Sequence, residues 1–162
     1  MAIDALVKPL LNVPLFQGLK PLQITEIARR AERVVFKAGD TIIAEDATGD
    51  AAILIVAGDA VRTTGPDFDG APEPVPPGAL VGEMAMLVET KHTSTIMARG
   101  SVRALRITRS ELVAQMEDDP ALADHFVQKI AGRLNRLAKE LRAIDAALGG
   151  LGTAARQAAH QH

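Results

Sequence analysis

The sequence predicts a mainly β protein with flanking α-helices: an antiparallel β-roll (jelly roll) with an N-terminal helix, a short helix near residue 83 and two C-terminal helices. Three observations lead to this fold class. Short β-prone runs fill the middle of the chain, Gly-Asp pairs separate them, and helical periodicity precedes and follows them. A chain of 162 residues that is 48% hydrophobic suits one compact domain.

The first helix is predicted from the segment "LFQGLKPLQITEIARRAERVVF", residues 15–36. Pro21 suits the first position of a helix because its missing N–H would have no partner there. The small and apolar residues that follow recur on one helical face: Ile24, Ile27, Ala28 and Ala31. From Val34 onward the pattern changes to that of a strand.

The roll is predicted from the runs "RVVF", "TII", "AAILIVA" and "AVRTT", which Gly39-Asp40, Gly49-Asp50 and Gly58-Asp59 separate. Gly-Asp between extended runs is typical of turns, because glycine adopts positive φ without strain and aspartate bonds nearby backbone. Residues 65–78 are rich in Pro and Gly, and we expect an exposed loop with no regular element. "STIMA" and "VRALRIT" supply two further strands, for about eight short strands in all.

Two helices are predicted at the C-terminal end. Ser110 is a candidate cap for "ELVAQMED", with Glu111 in the first turn. The last helix is expected over residues 120–148, ending at Gly149-Gly150, with 149–162 as a flexible tail. Its apolar residues are spaced by three and four, as in a coiled coil: Leu134, Leu137, Leu141, Ile144 and Leu148. Packing on the protein's own barrel is the alternative interpretation of this stripe.

Composition excludes several classes of protein. The net charge of -2 argues against a general nucleic-acid or membrane-surface binder, and no apolar run approaches a membrane span. No signal-like segment opens the sequence, so we expect a cytoplasmic protein. Cysteine is absent, and the four histidines are not spaced as a three-ligand metal set. We therefore expect no catalytic residues, no metal site and no cofactor.

The order of elements and three motifs resemble the cyclic-nucleotide-binding domain, the module of the bacterial catabolite activator, the protein kinase A regulatory subunit and cyclic-nucleotide-gated channels. "FKAGDTIIAED" and "IVAGDAV" match the opening strands and turns of that family. "PPGALVGEMAML" matches the approach to its phosphate-binding cassette. The resemblance covers residues 13–148 and implies a stand-alone domain of this type.

The resemblance implies that the cassette binds a cyclic phosphate at the start of a short helix. There the main-chain N–H groups of residues 82–85, which include Met84, and the helix dipole favour an anion. Gly82 lets the backbone approach closely, and the small Ala85 donates its N–H. Glu83 accepts a hydrogen bond from the ribose 2′-hydroxyl; a solvated acidic residue at a helix start is the alternative interpretation.

The cassette departs from the family at the position of its phosphate-binding arginine, which falls on His92. An imidazole offers one N–H and a partial charge near neutral pH, whereas a guanidinium offers a planar fork of donors. Losing such a charge-assisted bond weakens binding by roughly 10- to 100-fold. A protonated His92 or the neighbouring Lys91 is a candidate for partial compensation. Thr93 follows at the position where relatives that prefer cyclic GMP carry a hydroxyl residue; an ordinary threonine at the start of a strand is the alternative interpretation.

These features predict a non-enzymatic sensor with weakened or altered binding of cAMP or cGMP, or of another small anionic ligand. In this family the helix after the roll contacts or covers the purine, which couples occupancy to helix position. The alternative is a ligand-free protein-interaction or dimerisation module with the same fold. The C-terminal stripe favours a homodimer, and an unknown protein partner is also expected. We expect neither DNA binding by this chain alone nor membrane association.

Overall fold

The computed structural model describes residues 2–65 and 69–160, with side chains described for 7–65 and 69–147. The chain divides into two compact units, Met1–Ala123 and Asp124–His162. The first unit contains the β-sheets and the cassette. The second unit consists of the continuation of the last helix.

Among the described residues, eight strands form the sheets, and every pairing is antiparallel. The strand bounds are β1 Glu32–Phe36, β2 Thr41–Ile43, β3 Thr48–Gly49, β4 Ala51–Arg62, β5 Glu73–Val75, β6 Leu80–Val81, β7 Thr90–Lys91 and β8 Ile96–Thr108. The larger sheet has the order β1-β8-β4-β5, with β2 also paired to β8 and β6 to β4, while β3 and β7 form a second sheet. This architecture confirms the predicted antiparallel β-roll with flanking helices.

The two longest strands correct the prediction of short strands alone. "AAILIVA" and the first three residues of "AVRTT" lie in the single strand β4, and "STIMA" and "VRALRIT" contribute to the single strand β8. Gly58 therefore lies inside a strand, where the β4–β8 register shifts on either side of it. Its φ is +115°, and a Cβ there would lie 2.2 Å from the carbonyl oxygen of Ser101. The Gly-Asp pair thus marks a bulge, which has the same residue preference as a turn.

Part of the predicted loop is also a strand. Within residues 65–78, Glu73–Val75 forms β5 and pairs with Ala60–Arg62 of β4. Pro74 is compatible with this pairing because β5 is at the end of the sheet order, where a missing N–H leaves no ladder partner unsatisfied. The expectation that this segment contains no regular element was wrong.

The helices before the roll are α1 (Ala2–Leu11), a 3₁₀ turn (Pro14–Phe16) and α2 (Pro21–Arg30). Helix α2 begins at Pro21 as predicted, and its Ile24, Ile27 and Ala28 are buried. Helix α1 was not predicted from the sequence. Its ten residues include Pro9, which weakens a local helical signal.

Helix α3 (Arg109–Asp118) is capped by Thr108 and not by Ser110. The Thr108 hydroxyl accepts the N–H of Glu111 at 3.3 Å, and Thr108 has the extended backbone of an N-cap. Ser110 is already within the first turn. Glu111 is in that turn, as predicted.

Helix α4 spans Pro120–His160 and continues past Gly149-Gly150, where the sequence predicted its end. Glycine inside a helix costs about 1 kcal/mol relative to alanine but does not forbid helix formation. The division into a 13–148 domain and a 149–162 tail stays a prediction, and residues 161 and 162 lie outside the described residues.

The core of the first unit includes a cluster inside the roll, built from residues of β2, β4 and β8. Its members are Ile42, Ile43, Ile53, Ile55, Ala60, Ile96, Ala98, Val102 and Ala104. Burial of their apolar surface stabilises the roll around the segment that carries the cassette. Within the described part of the chain, no helix combines the length and apolarity that crossing a membrane requires.

Candidate ligand-binding site

A cavity of about 520 Å³ opens in the first unit beside the predicted cassette. All six predicted site residues line it: Gly82, Glu83, Met84, Ala85, His92 and Thr93. The apolar part of the wall comes from the roll and contains Ile43, Val75, Leu80, Val81 and Ile96. This volume is in the range of small-molecule sites, roughly 300–1,000 Å³. Side chains therefore do not fill the roll at this end.

The imidazole of His92 lies against two glycines. A Cβ built on Gly49 would be 2.5 Å from His92 Nε2, and one built on Gly82 would be 2.8 Å from His92 Cε1. The backbone of His92 is held on both sides, because its N–H donates to Ala47 O (3.0 Å) and its carbonyl accepts from Asp46 N–H (2.9 Å). Both glycines thus leave the space that the ring occupies, and the ring lies beside the start of the cassette turn.

The cassette helix is a single 3₁₀ turn, Glu83–Met86, with Gly82 as its N-cap. Gly82 has a φ of +64°, a left-handed conformation that glycine adopts most readily. The N–H of Ala85 donates to the carbonyl oxygen of Gly82 at 3.0 Å. The predicted donation from Ala85 to an anion therefore requires this hydrogen bond to open or to be shared. The roles of the individual cassette residues stay predictions.

Arg109, the first residue of α3, also reaches the cassette. Its Nη1 donates to the carbonyl oxygens of Ala85 (3.4 Å) and Gly49 (3.5 Å), and its backbone N–H donates to Asp50 O at 2.7 Å. The side-chain bonds are long and therefore weak. They nevertheless connect α3 to the carbonyl side of the cassette turn. Arg109 was not predicted as a site residue, because nothing near it in the chain indicates a contact with residue 85.

Among the described residues, three charged side chains line the cavity. Arg62 and Lys91 are cationic, and Glu83 is anionic. Arg62 comes from β4 and pairs with Glu73 of β5. Arg62 was not predicted as a site residue either, since it lies 20 residues before Gly82. Within the described ranges, no group of three or more His, Cys, Asp or Glu residues is arranged to hold a metal ion.

Comparison with known proteins identifies the sequence pattern. A family model described as the cyclic nucleotide-binding domain matches residues 33–119. The chain is 32% identical over 110 residues to a cAMP-dependent protein kinase regulatory subunit of Aspergillus fumigatus, which covers 66% of this chain and 26% of the relative. It is 27% identical over 124 residues to a CRP-like cAMP-activated global transcriptional regulator of Mycobacterium tuberculosis, covering 75% of this chain and 55% of the relative.

Solved structures support the same comparison. A cyclic nucleotide-binding-like protein from Brucella abortus has a TM-score of 0.63 and 33% identity, over 70% of this chain and 99% of that one. The N-terminal domain of a transcriptional regulator from Streptomyces coelicolor has a TM-score of 0.69 at 24% identity, which shows the shared fold. The chain spans between about a quarter and about half of the length of the curated relatives described above.

Proposed function

The chain belongs to the cyclic nucleotide-binding domain family, and we propose that it is a non-enzymatic regulatory sensor that binds cAMP, cGMP or another small anionic ligand beside the cassette. The observation that carries this proposal is the cavity of about 520 Å³, which all six predicted site residues line. The curated relatives described above are a kinase regulatory subunit and a transcriptional regulator. Their names support a regulatory role.

We further propose that affinity for a cyclic nucleotide is weak or altered, because His92 replaces the arginine of the family cassette. The ring lies beside Gly82, where the resemblance locates the phosphate. A single imidazole N–H cannot reproduce the two parallel donors of a guanidinium. We expect binding roughly 10- to 100-fold weaker than with an arginine at this position.

Calorimetric titration of cAMP and cGMP at about pH 8 and about pH 6 tests this proposal. Imidazoles gain their proton across this range, while a cyclic phosphodiester keeps its negative charge. Affinity should therefore rise as the pH falls if His92 acts as a cation toward the ligand. Among the described residues, the other charged groups that line the cavity are Arg62, Lys91 and Glu83. A His92→Ala variant is the control, and its affinity should lose most of the pH dependence.

A His92→Arg variant tests the register directly. It should bind the nucleotide about 10-fold or more tightly than wild type, because it restores the planar fork of donors. An unchanged affinity in a folded variant would place the anion elsewhere. If wild type gives neither heat nor a thermal shift with millimolar cAMP or cGMP, the ligand-free interaction module becomes the better proposal.

A second function, dimerisation through α4, is favoured by exposure of the apolar stripe. Leu134, Leu137, Leu141 and Ile144 are between 52% and 63% exposed. Their spacing of three and four is that of a coiled-coil seam. The side chain of Leu148, the fifth member of the predicted stripe, lies outside the described residues. We propose a homodimer, while the cytoplasmic location and the further protein partner also remain proposals.

A further inference from the structure

The cassette lacks an arginine, yet the cavity contains a guanidinium from another strand. We propose that Arg62 supplies this guanidinium to the anionic ligand, and that Glu73 competes with the ligand for it. This inference rests on the proposed function, because it requires an anion in the cavity. It assigns a binding role to a residue of β4, outside the cassette.

Arg62 is close to Ser94, which directly follows the predicted site residue Thr93. A Cβ built on Gly65 would lie 3.4 Å from Arg62 Nη1 and 3.2 Å from Ser94 Cβ. The guanidinium and Ser94 therefore flank the same point of the backbone. Ser94 is two residues after His92, and both line the cavity. Arg62 is thus near the part of the cassette in which the family arginine is missing.

The Arg62 guanidinium has more N–H donors than its hydrogen bond to Glu73 uses. Among the described residues, the hydrogen bond that Arg62 makes is from Nη2 to Glu73 Oε2. An arginine carries five N–H groups in a planar fork, so one carboxylate partner leaves several of them for an anion. The Arg62 side chain is 27% exposed and that of Glu73 is 42% exposed. Because both side chains are partly exposed, separating them costs little free energy, since water can solvate the released carboxylate.

Lys91 is a weaker candidate for the same role. It also lines the cavity, but its side chain is exposed, and an ammonium on a flexible stem offers no fixed fork. Arg62 is held by β4, which pairs with β8 at Ile96 and with β5 at Glu73. The side chain therefore starts from a fixed backbone position on the cavity wall.

The test is calorimetric titration of cAMP and cGMP into wild type and four variants. Arg62→Gln should weaken binding by about 10-fold, because a charge-assisted hydrogen bond is lost. Arg62→Lys should fall between wild type and Arg62→Gln, since it retains the charge without the fork. Glu73→Gln should strengthen binding by about 2- to 5-fold, because it removes a competing negative charge.

The fourth variant, Arg99→Gln, is the matched control. Arg99 also forms an ion pair on the roll, with Asp59 at 2.9 Å, but it does not line the cavity. Its loss should leave nucleotide affinity unchanged. Circular dichroism and thermal unfolding show which variants fold.

The opposite signs expected for Arg62→Gln and Glu73→Gln distinguish ligand binding from a structural role. If Arg62 only holds β5 on β4, both substitutions should weaken binding alike, and that result overturns the inference. Equal affinities for wild type and a folded Arg62→Gln also overturn it but leave the proposed function standing. A wild-type protein that binds neither nucleotide overturns this inference together with the proposed cyclic-nucleotide sensor, and the ligand-free interaction module then becomes the better proposal. If Arg62→Gln does not fold, weaker binding by Glu73→Gln overturns the inference and tighter binding supports it.

Discussion

At the scale of single residues, the imidazole of His92 occupies the space that a side chain at Gly82 would need. His92 Cε1 and Nδ1 would lie 2.8 and 3.1 Å from a Cβ at Gly82. The same glycine has a φ of +64°, so a side chain there is opposed both by sterics and by backbone conformation. The ring therefore limits the cassette turn to a residue without a Cβ.

Gly82→Ala should lower the free energy of unfolding by about 2–4 kcal/mol, the sum of backbone strain and overpacking. In a His92→Ala background the overpacking is relieved, and the same substitution should cost only about 1–2 kcal/mol. Urea unfolding of the four proteins in this double-mutant cycle measures the difference.

Gly39→Ala is the control for backbone strain alone, because Gly39 has a φ of +92° but nothing within 4 Å of a built Cβ. Its cost should match that of Gly82→Ala in the His92→Ala background. Equal costs of Gly82→Ala with and without His92 would mean that the imidazole does not occupy this space.

At the scale of elements, α3 links β8 to the cassette. Its N-cap Thr108 is the last residue of β8, and Arg109 donates to the cassette carbonyl of Ala85. The start of this helix therefore fixes the direction from which Arg109 approaches the turn. The cap hydrogen bond holds that start, because it satisfies the N–H of Glu111.

Thr108→Ala should destabilise the protein by about 1 kcal/mol, the usual contribution of a side-chain cap. Ser110→Ala is the matched control, because Ser110 lies in the first turn of α3 and is not its N-cap. The Ser110 hydroxyl is 3.4 Å from that of Thr108, so the two substitutions remove neighbouring hydroxyl groups. It should change the free energy of unfolding by at most about 0.5 kcal/mol. Thermal and urea unfolding read both values. If Ser110→Ala lowers the free energy of unfolding more than Thr108→Ala does, Ser110 is the N-cap, as the sequence predicted.

At the scale of the whole molecule, the exposed stripe of α4 predicts self-association. Replacing Leu137 and Leu141 by Asp should convert a dimer to a monomer, because burying two leucines stabilises it by about 3 kcal/mol or more. Light scattering across a concentration series measures the change. Ala146→Asp introduces the same acid at an exposed position off the stripe, and it should leave the dimer intact. A wild-type protein that is monomeric at high concentration would eliminate this interface.

Local sequence patterns predicted much of the roll, but they divided the two long strands β4 and β8 into shorter ones. Gly58-Asp59 resembles a turn in sequence, whereas in the structure β4 runs through it with a shifted register. Whether a glycine with positive φ reverses the chain or bulges a strand depends on the partner strand, here β8. The same holds for Glu73–Val75, which became β5 because the edge of β4 was available to it.

By itself, the sequence determined the fold class and the family, and it located the candidate site residues in one segment, because the residues that carry these predictions are consecutive or periodic along the chain. Gly82 to Thr93 lie within one short segment, so proximity in sequence brings them to one cavity. Only the tertiary structure decided that Arg62 joins that cavity and that Arg109 reaches its turn. Strand pairing and helix placement bring these side chains to the cassette turn over sequence separations of 20 or more residues. Local sequence patterns do not indicate these contacts, because the contacts form only when the strands and helices have packed together.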